Sequence, residues 1–309
     1  MLSMSDSRVR TTPPGGCGKL DPMTAGRDLN GAASEAMAAV EQRALPGASV
    51  PASARVVLHF HPDADPLGAP VLRQIVAERR YVSQFVTGTS NGGLTAFPGG
   101  DRHAWERRIF AGAYDTSDPA DRPVYGALSL DGDPYGAAPR FGSAYLRLRP
   151  EVLARASFAY PDSVFEPTAF GTADRFGLIE AFLQAAPADP LNHYIEAHVH
   201  GRVLVPDDVE AVVMDPSFDD EPTLAAVEGL GIPLERHPGY SVAVADLREH
   251  PEYRGAETLA VAERIAEDGR LTPAVIGRAR QRRLADPQTL KRVWHCLARF
   301  GRGDNTQAG

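Results

Sequence analysis

With 309 residues, 43% of them hydrophobic and 23% charged, the chain has enough apolar material for one large folded domain or two modest ones. A formal net charge of -8 argues against a nucleic-acid scaffold, whose footprint is a basic face. Cys17 and Cys296 are the two cysteines and lie far apart, so no disulfide framework is indicated, and no run approaches the ~20 apolar residues of a membrane span.

The N-terminus lacks the apolar core of a signal peptide, so the expected location is the cytoplasm, or outside it after export without a recognisable signal. Only Lys19 and Lys291 are lysines among 32 basic residues. Coding bias explains that excess of arginine as readily as a need for forked guanidinium donors.

In chain order, residues 1–30 are rich in Ser, Thr, Pro and Gly without an apolar period and read as a disordered leader. Ala32 to Leu45 reads as an alanine-rich helix stopped by Pro46-Gly47 and packed on the first strand. That strand is Val56 to His61, closed by a Pro-Asp turn. Val71, Leu72, Ile75 and Val76 recur at helical spacing, after which Tyr81 to Val86 returns to strand chemistry and ends in Thr87-Gly88-Thr89-Ser90-Asn91-Gly92-Gly93. Hydroxyls and glycines at one strand end suit backbone contact with a ligand, because glycine has no Cβ to block it.

Asp101 reads as the N-cap of a helix with Trp105, Ile109 and Phe110 along one stripe. Val124 to Leu130 and Arg140 to Leu148 read as strands, the second half exposed beside a cleft. Phe176 to Leu183 is helical in pattern, and Val209 to Met214 and Val242 to Ala245 are strand-like. Three amphipathic helices follow at Ala256–Glu267, Pro273–Arg283 and Pro287–Arg299. The fold class is α+β: a mixed or antiparallel sheet core with flanking helices in residues 31–245, and a C-terminal helical segment in 246–309.

Three groups of residues carry possible chemistry. Between Tyr194 and Gly201, strand alternation puts Glu196, His198 and His200 on one face, where a carboxylate and two imidazoles need solvent, a ligand or a metal. His59 and His61 form a second His-x-His pair, and the four imidazoles together could bind a divalent metal for a hydrolase. Asp215, Ser217 and His237 contain the residue types of a hydrolytic triad, but Ser217 lacks a nucleophile-elbow frame and ordinary turns are the better reading.

Residues 55–218 resemble a bacterial family of uncharacterised function through SQFVTGTSNGG, GGDRHAWERRIFAGAYD, APRFGSAYLRLRP and YIEAHVHG. More distantly, a first strand ending in aromatic-His-turn, a short helix, a Thr/Ser cluster and a late strand bearing Glu resemble the ADP-ribosyltransferase superfamily. That resemblance implies a sheet core of ADP-ribosyltransferase type and NAD as ADP-ribose donor. It implies that His61 holds the nicotinamide-ribose side of NAD, that Thr89 or Ser90 within Thr87, Gly88, Thr89, Ser90 and Asn91 lines the nicotinamide pocket, and that Glu196 bonds the ribose. Members with a paired acid carry it two residues from the Glu, where this chain has His198, so Glu196 and His198 both stand as catalytic candidates. The acceptor would be a protein or another macromolecule, and the role that of a toxin, an effector or a housekeeping enzyme. The alternative to both enzymes is an inactive module that keeps the cleft for a nucleotide or peptide.

Overall fold

The computed structural model describes residues 29, 31–88 and 94–303. The expected leader therefore lies outside the described residues, except for Leu29.

Eight strands form one sheet. In chain order they are β1 (Arg55–Phe60), β3 (Val124–Ser129), β4 (Ala144–Leu148), β5 (Ala156–Tyr160), β6 (Ala169–Thr172), β7 (Ile195–Val199), β9 (Val209–Met214) and β10 (Leu234–Arg236). The spatial order is β10-β9-β4-β1-β3-β7-β5-β6. Only β9 and β10 pair in parallel; every other pair is antiparallel. Two ribbons stand apart, one from β2 (Arg80–Tyr81) and β8 (Val203–Leu204), the other from β11 (Val242–Ala243) and β12 (Arg270–Leu271). The expected α+β class and mixed sheet are what the chain adopts.

Helices cover both faces because both faces of the central strands are apolar or buried. On one side Leu58, Phe60, Phe158, Ile195, Ala197 and Val199 join the main core beneath α2 (Val71–Glu78), α5 (Leu178–Gln184) and α6 (Glu221–Leu230). On the other, α1 (Gly31–Glu41) and α4 (Asp101–Ile109) place Ala36, Val40, Trp105 and Ile109 over Ala159 and Phe170. A further core gathers α7 (Val244–Leu247), α8 (Ala256–Ile265), α9 (Pro273–Gln281) and α10 (Pro287–Phe300) with Tyr135 and Leu191.

Several local expectations change. Helix α1 packs on β5 and β6, at the far end of the sheet from the position expected beside β1. The expected strand Tyr81–Val86 stops at Tyr81, since β2 has only the two residues of β8 to pair with. The chain then turns into α3 (Gln84–Thr87), where the Phe85 ring lies 4.2 Å from the Arg122 guanidinium carbon. Arg140 is in a 3-10 turn, Pro139–Phe141, ahead of β4. Four of the five residues of β4 are buried, as its place between β1 and β9 requires, so it is not the half-exposed strand its alternation indicated. The N-cap of α4 is Gly100, while Asp101 opens the helix and donates its N–H to Thr95 Oγ1.

Candidate functional site

Glu196 is the second residue of β7, flanked by β3 and β5, and opposite Ala127 and Ala159. The alanines leave space above the strand, and the carboxylate lines a cavity of about 780 Å³ whose floor also includes Val57 and Ala127. This volume is in the range of small-molecule and cofactor pockets. His61, just beyond the end of β1, lines the same cavity. The two residues singled out on different strands thus share one cleft.

The local chain explains the geometry at Glu196. Asp162 accepts the Val164 N–H at 2.8 Å and caps the 3-10 turn Ser163–Phe165. That cap directs the Ser163 hydroxyl onto Glu196 Oε2 at 2.9 Å, with the Ser163 N–H at 3.4 Å. Arg102, from α4, donates to the same hydroxyl at 2.7 Å and lies over the Tyr125 ring, its guanidinium carbon 4.1 Å from the centroid. His198 Nε2 is 2.9 Å from the other oxygen, Oε1. Burial alone would raise the Glu196 pKa, but the hydrogen bond from His198 and the Arg102 charge outweigh it and hold the carboxyl below its ordinary value. Asp162, bonded by the Tyr194 hydroxyl, is pushed up by burial.

Behind this cluster Glu106 accepts from Arg122 at 2.6 Å and from the Tyr125 hydroxyl at 2.9 Å. Burial pushes its pKa up to about 7 against the pull of Arg122.

His61 faces the other end. Its ring meets Trp294 of α10 edge to face, and burial keeps its pKa well below the ordinary histidine value, so the imidazole is neutral. The C-terminal helices add Arg280, Gln288 and Lys291 to the wall, and α2 with its flanks adds Arg73, Gln74 and Arg80. Arg280 pairs with Asp63 at 3.2 Å. Burial lowers the Lys291 pKa. Two lining side chains, Gln84 through Oε1 and Arg102 through Nε, carry a buried polar atom with no hydrogen-bond partner among the described residues.

Of the expected ligand loop, Thr87 lines the cavity. Gly88 follows as the left-handed C-cap of α3, at φ 63°, and is not part of the wall. Thr89, Ser90 and Asn91 lie outside the described residues. His198 and His200 do not reach the cavity; they are fully buried beneath Trp105, Phe110 and Tyr114.

The four-imidazole arrangement expected of a metal site is not formed. His59 Nδ1 donates to the Gly142 carbonyl at 3.1 Å while Nε2 accepts the Ala138 N–H at 3.2 Å. His198 and His200 bond Ser157, Glu196 and Tyr114 on another strand. Among the described residues no three His, Cys, Asp or Glu side chains cluster as ligands. The turn reading of Asp215 and Ser217 fits. Asp215 accepts the N–H groups of Ser217 and Tyr240, and His237 Nε2 donates to the Ser143 carbonyl at 2.8 Å, away from Ser217.

Sequence reasoning missed Arg102, Asp162, Ser163, Arg280 and Lys291. Arg102 is an arginine on an apolar helix face, a signal that was present; the others come together only through the fold. No helix among the described residues is long and apolar enough to cross a membrane.

Two overlapping matches, over residues 55–186 and 178–300, link the chain to the DUF3626 proteins, described as proteins of unknown function. The chain belongs to the DUF3626 family. Both ends of the cavity, His61 from the first match and Lys291 from the second, fall inside the region that defines this DUF3626 protein as a member. No curated protein matches the chain.

Proposed function

We propose that this DUF3626 protein is an NAD-consuming enzyme of ADP-ribosyltransferase type, with a sheet core of that type, and that Glu196 is its catalytic carboxylate. The observation that carries the reading is the shared cavity of His61 and Glu196, with the carboxylate held ionised at its floor.

Cleavage of the nicotinamide–ribose bond sends the bonding electron pair away with nicotinamide and leaves positive charge on the ribose. A fixed carboxylate stabilises that charge more than it stabilises the neutral ground-state ring. Glu196 is fixed through both oxygens, by Ser163 on one and His198 on the other. A neutral His61 is suited to bonding ribose hydroxyls without repelling the developing cation. Arg73, Arg80, Arg280 and Lys291 supply positive charge for a diphosphate, and Phe60, Tyr81 and Phe141 supply apolar surface for the bases. The acceptor of ADP-ribose is a protein, another macromolecule or water.

Nicotinamide release from NAD, with calorimetry for binding, tests the reading. Wild-type protein that is folded and fails to bind NAD would overturn it; binding without turnover would leave a nucleotide-binding module.

A further inference from the structure

Behind Glu196 runs a line of four side chains that the cavity does not touch. Tyr114 Oη lies 2.8 Å from His200 Nδ1, and His200 Nε2 lies 2.9 Å from Ser157 Oγ. Ser157 Oγ is 3.0 Å from His198 Nδ1, and His198 Nε2 is 2.9 Å from Glu196 Oε1. The sheet register creates this line by putting Ser157 of β5 directly opposite His198 of β7. Ser157, His198 and His200 are fully buried and Tyr114 is 2% exposed, so water does not compete for these groups.

We infer that Tyr114, His200, Ser157 and His198 form a one-way hydrogen-bond relay that ends on Glu196, fixes both imidazoles as neutral Nε2–H tautomers, and makes His198 a positioning residue. The direction follows from counting protons. An ionised carboxylate only accepts, so His198 must donate from Nε2. With that proton on Nε2, Nδ1 accepts the Ser157 hydroxyl proton. Ser157 has then used its one proton, and its oxygen accepts from His200 Nε2–H. The lone pair of His200 Nδ1 receives the Tyr114 O–H. Every donor and acceptor is satisfied in this arrangement.

The reverse arrangement fails at its far end. A doubly protonated His198 would donate to Ser157, Ser157 to His200, and His200 to the Tyr114 oxygen. The Tyr114 O–H would then be buried with no acceptor among the described residues, a costly state. Aromatic edges hold the rings in place: Trp105, Phe110 and Tyr125 around His198, and a stacked Tyr114 on His200. The acid absent two places after Glu196 is thus replaced by a donor that aims the carboxylate.

The tautomer part of this inference stands on geometry, whereas its effect on turnover rests on the NAD reading. The test is two-bond proton–nitrogen NMR on the full chain labelled at histidine nitrogens, with His200→Gln and His198→Gln used for assignment. Both rings should give the neutral Nε2–H pattern in wild type. Tyr114→Phe keeps the ring and removes the donor, so the His200 proton should stay on Nε2 while the Nδ1 resonance moves toward that of an imidazole nitrogen with no hydrogen bond. In nicotinamide release the same variant should lower kcat by about threefold to tenfold with KM for NAD unchanged, the size expected for one buried hydrogen bond. A wild-type His198 that is doubly protonated or carries its proton on Nδ1 overturns the relay, and the wild-type spectrum needs no variant to fold. Nε2–H spectra in a protein that does not turn over NAD would support the relay and sink the NAD reading instead.

Discussion

The rings of His61 and Trp294 meet edge to face with centroids 4.9 Å apart, joining the end of the first sheet strand to the last helix of the chain. Trp294 is 1% exposed, and its indole N–H donates to the carbonyls of Pro139 and Arg140 at 3.0 and 3.1 Å. One aromatic side chain therefore positions a cavity-lining histidine and the loop ahead of β4. The C-terminal helices, legible in the sequence as helices, are part of the cavity wall.

Trp294→Ala removes this contact, leaves two carbonyls without their donor, and opens a large void. It should cost about 3–5 kcal/mol of stability. Denaturant unfolding followed by far-ultraviolet circular dichroism measures this. A change below about 1 kcal/mol would show that α10 is not anchored through Trp294.

Stability should fall as pH drops below 6.5. Burial lowers the pKa of His59 to about 3 and of His295 to about 2, and places those of His61 and His200 well below 6.5. Between those values and 6.5 the unfolded chain binds protons that the folded chain refuses, so acid favours unfolding. Each such imidazole steepens the loss by up to about 1.4 kcal/mol per pH unit. Glu106, raised to about 7, acts oppositely, because its folded form holds a proton that the unfolded chain releases. Burial also lowers the pKa of His237 and raises those of Asp63 and Asp162, so five histidines stand against three carboxyls and fix the sign between pH 5.5 and 6.5. Urea midpoints at pH 7.5, 6.5 and 5.5 would contradict this if they stayed level.

The strands most readily legible were those whose two faces differ in chemistry. In β7, Ile195, Ala197 and Val199 alternate with Glu196 and His198, and the register follows that alternation. That Glu196 and His61 would need polar surroundings or a cavity was legible, because a charged or polar group in an apolar strand must find a polar partner, solvent or a ligand, and both line the same cavity. Tyr81 to Val86 was not legible, since local β propensity cannot reveal that the neighbouring strand has only two residues to offer. The relay was half legible: the sequence put His198 and His200 on one face, but not Ser157 opposite them, because pairing β5 with β7 is a long-range outcome. The separation of the two His-x-His pairs was not legible on the same ground. Two His-x-His pairs meet only if topology brings their strands together, and β3 separates β1 from β7.

Gly88 was expected to matter by letting ligand approach the backbone. A Cβ built there would meet nothing within 4 Å among the described residues, while φ is +63°. Gly88→Val should therefore act through backbone strain, lowering stability by roughly 1–2 kcal/mol. Calorimetry should find the NAD affinity of the folded variant within about twofold of wild type, well under 1 kcal/mol. A large loss of affinity at unchanged melting temperature would restore the direct-contact reading.

The decisive pair of variants is Glu196→Gln and His61→Ala. Glutamine keeps the size of Glu196 and an oxygen able to accept from Ser163 or His198, but removes the charge that would stabilise a ribosyl cation. NAD binding should persist, and nicotinamide release should fall by roughly two to three orders of magnitude, the equivalent of a few kcal/mol at the transition state. His61→Ala removes a group assigned to the ground state as well, so it should weaken NAD binding itself and raise KM. Side-by-side calorimetry and nicotinamide release separate the two roles. Equal loss of binding in both variants would make Glu196 a binding residue rather than a catalytic one, and unchanged turnover in Glu196→Gln would remove it from the chemistry altogether.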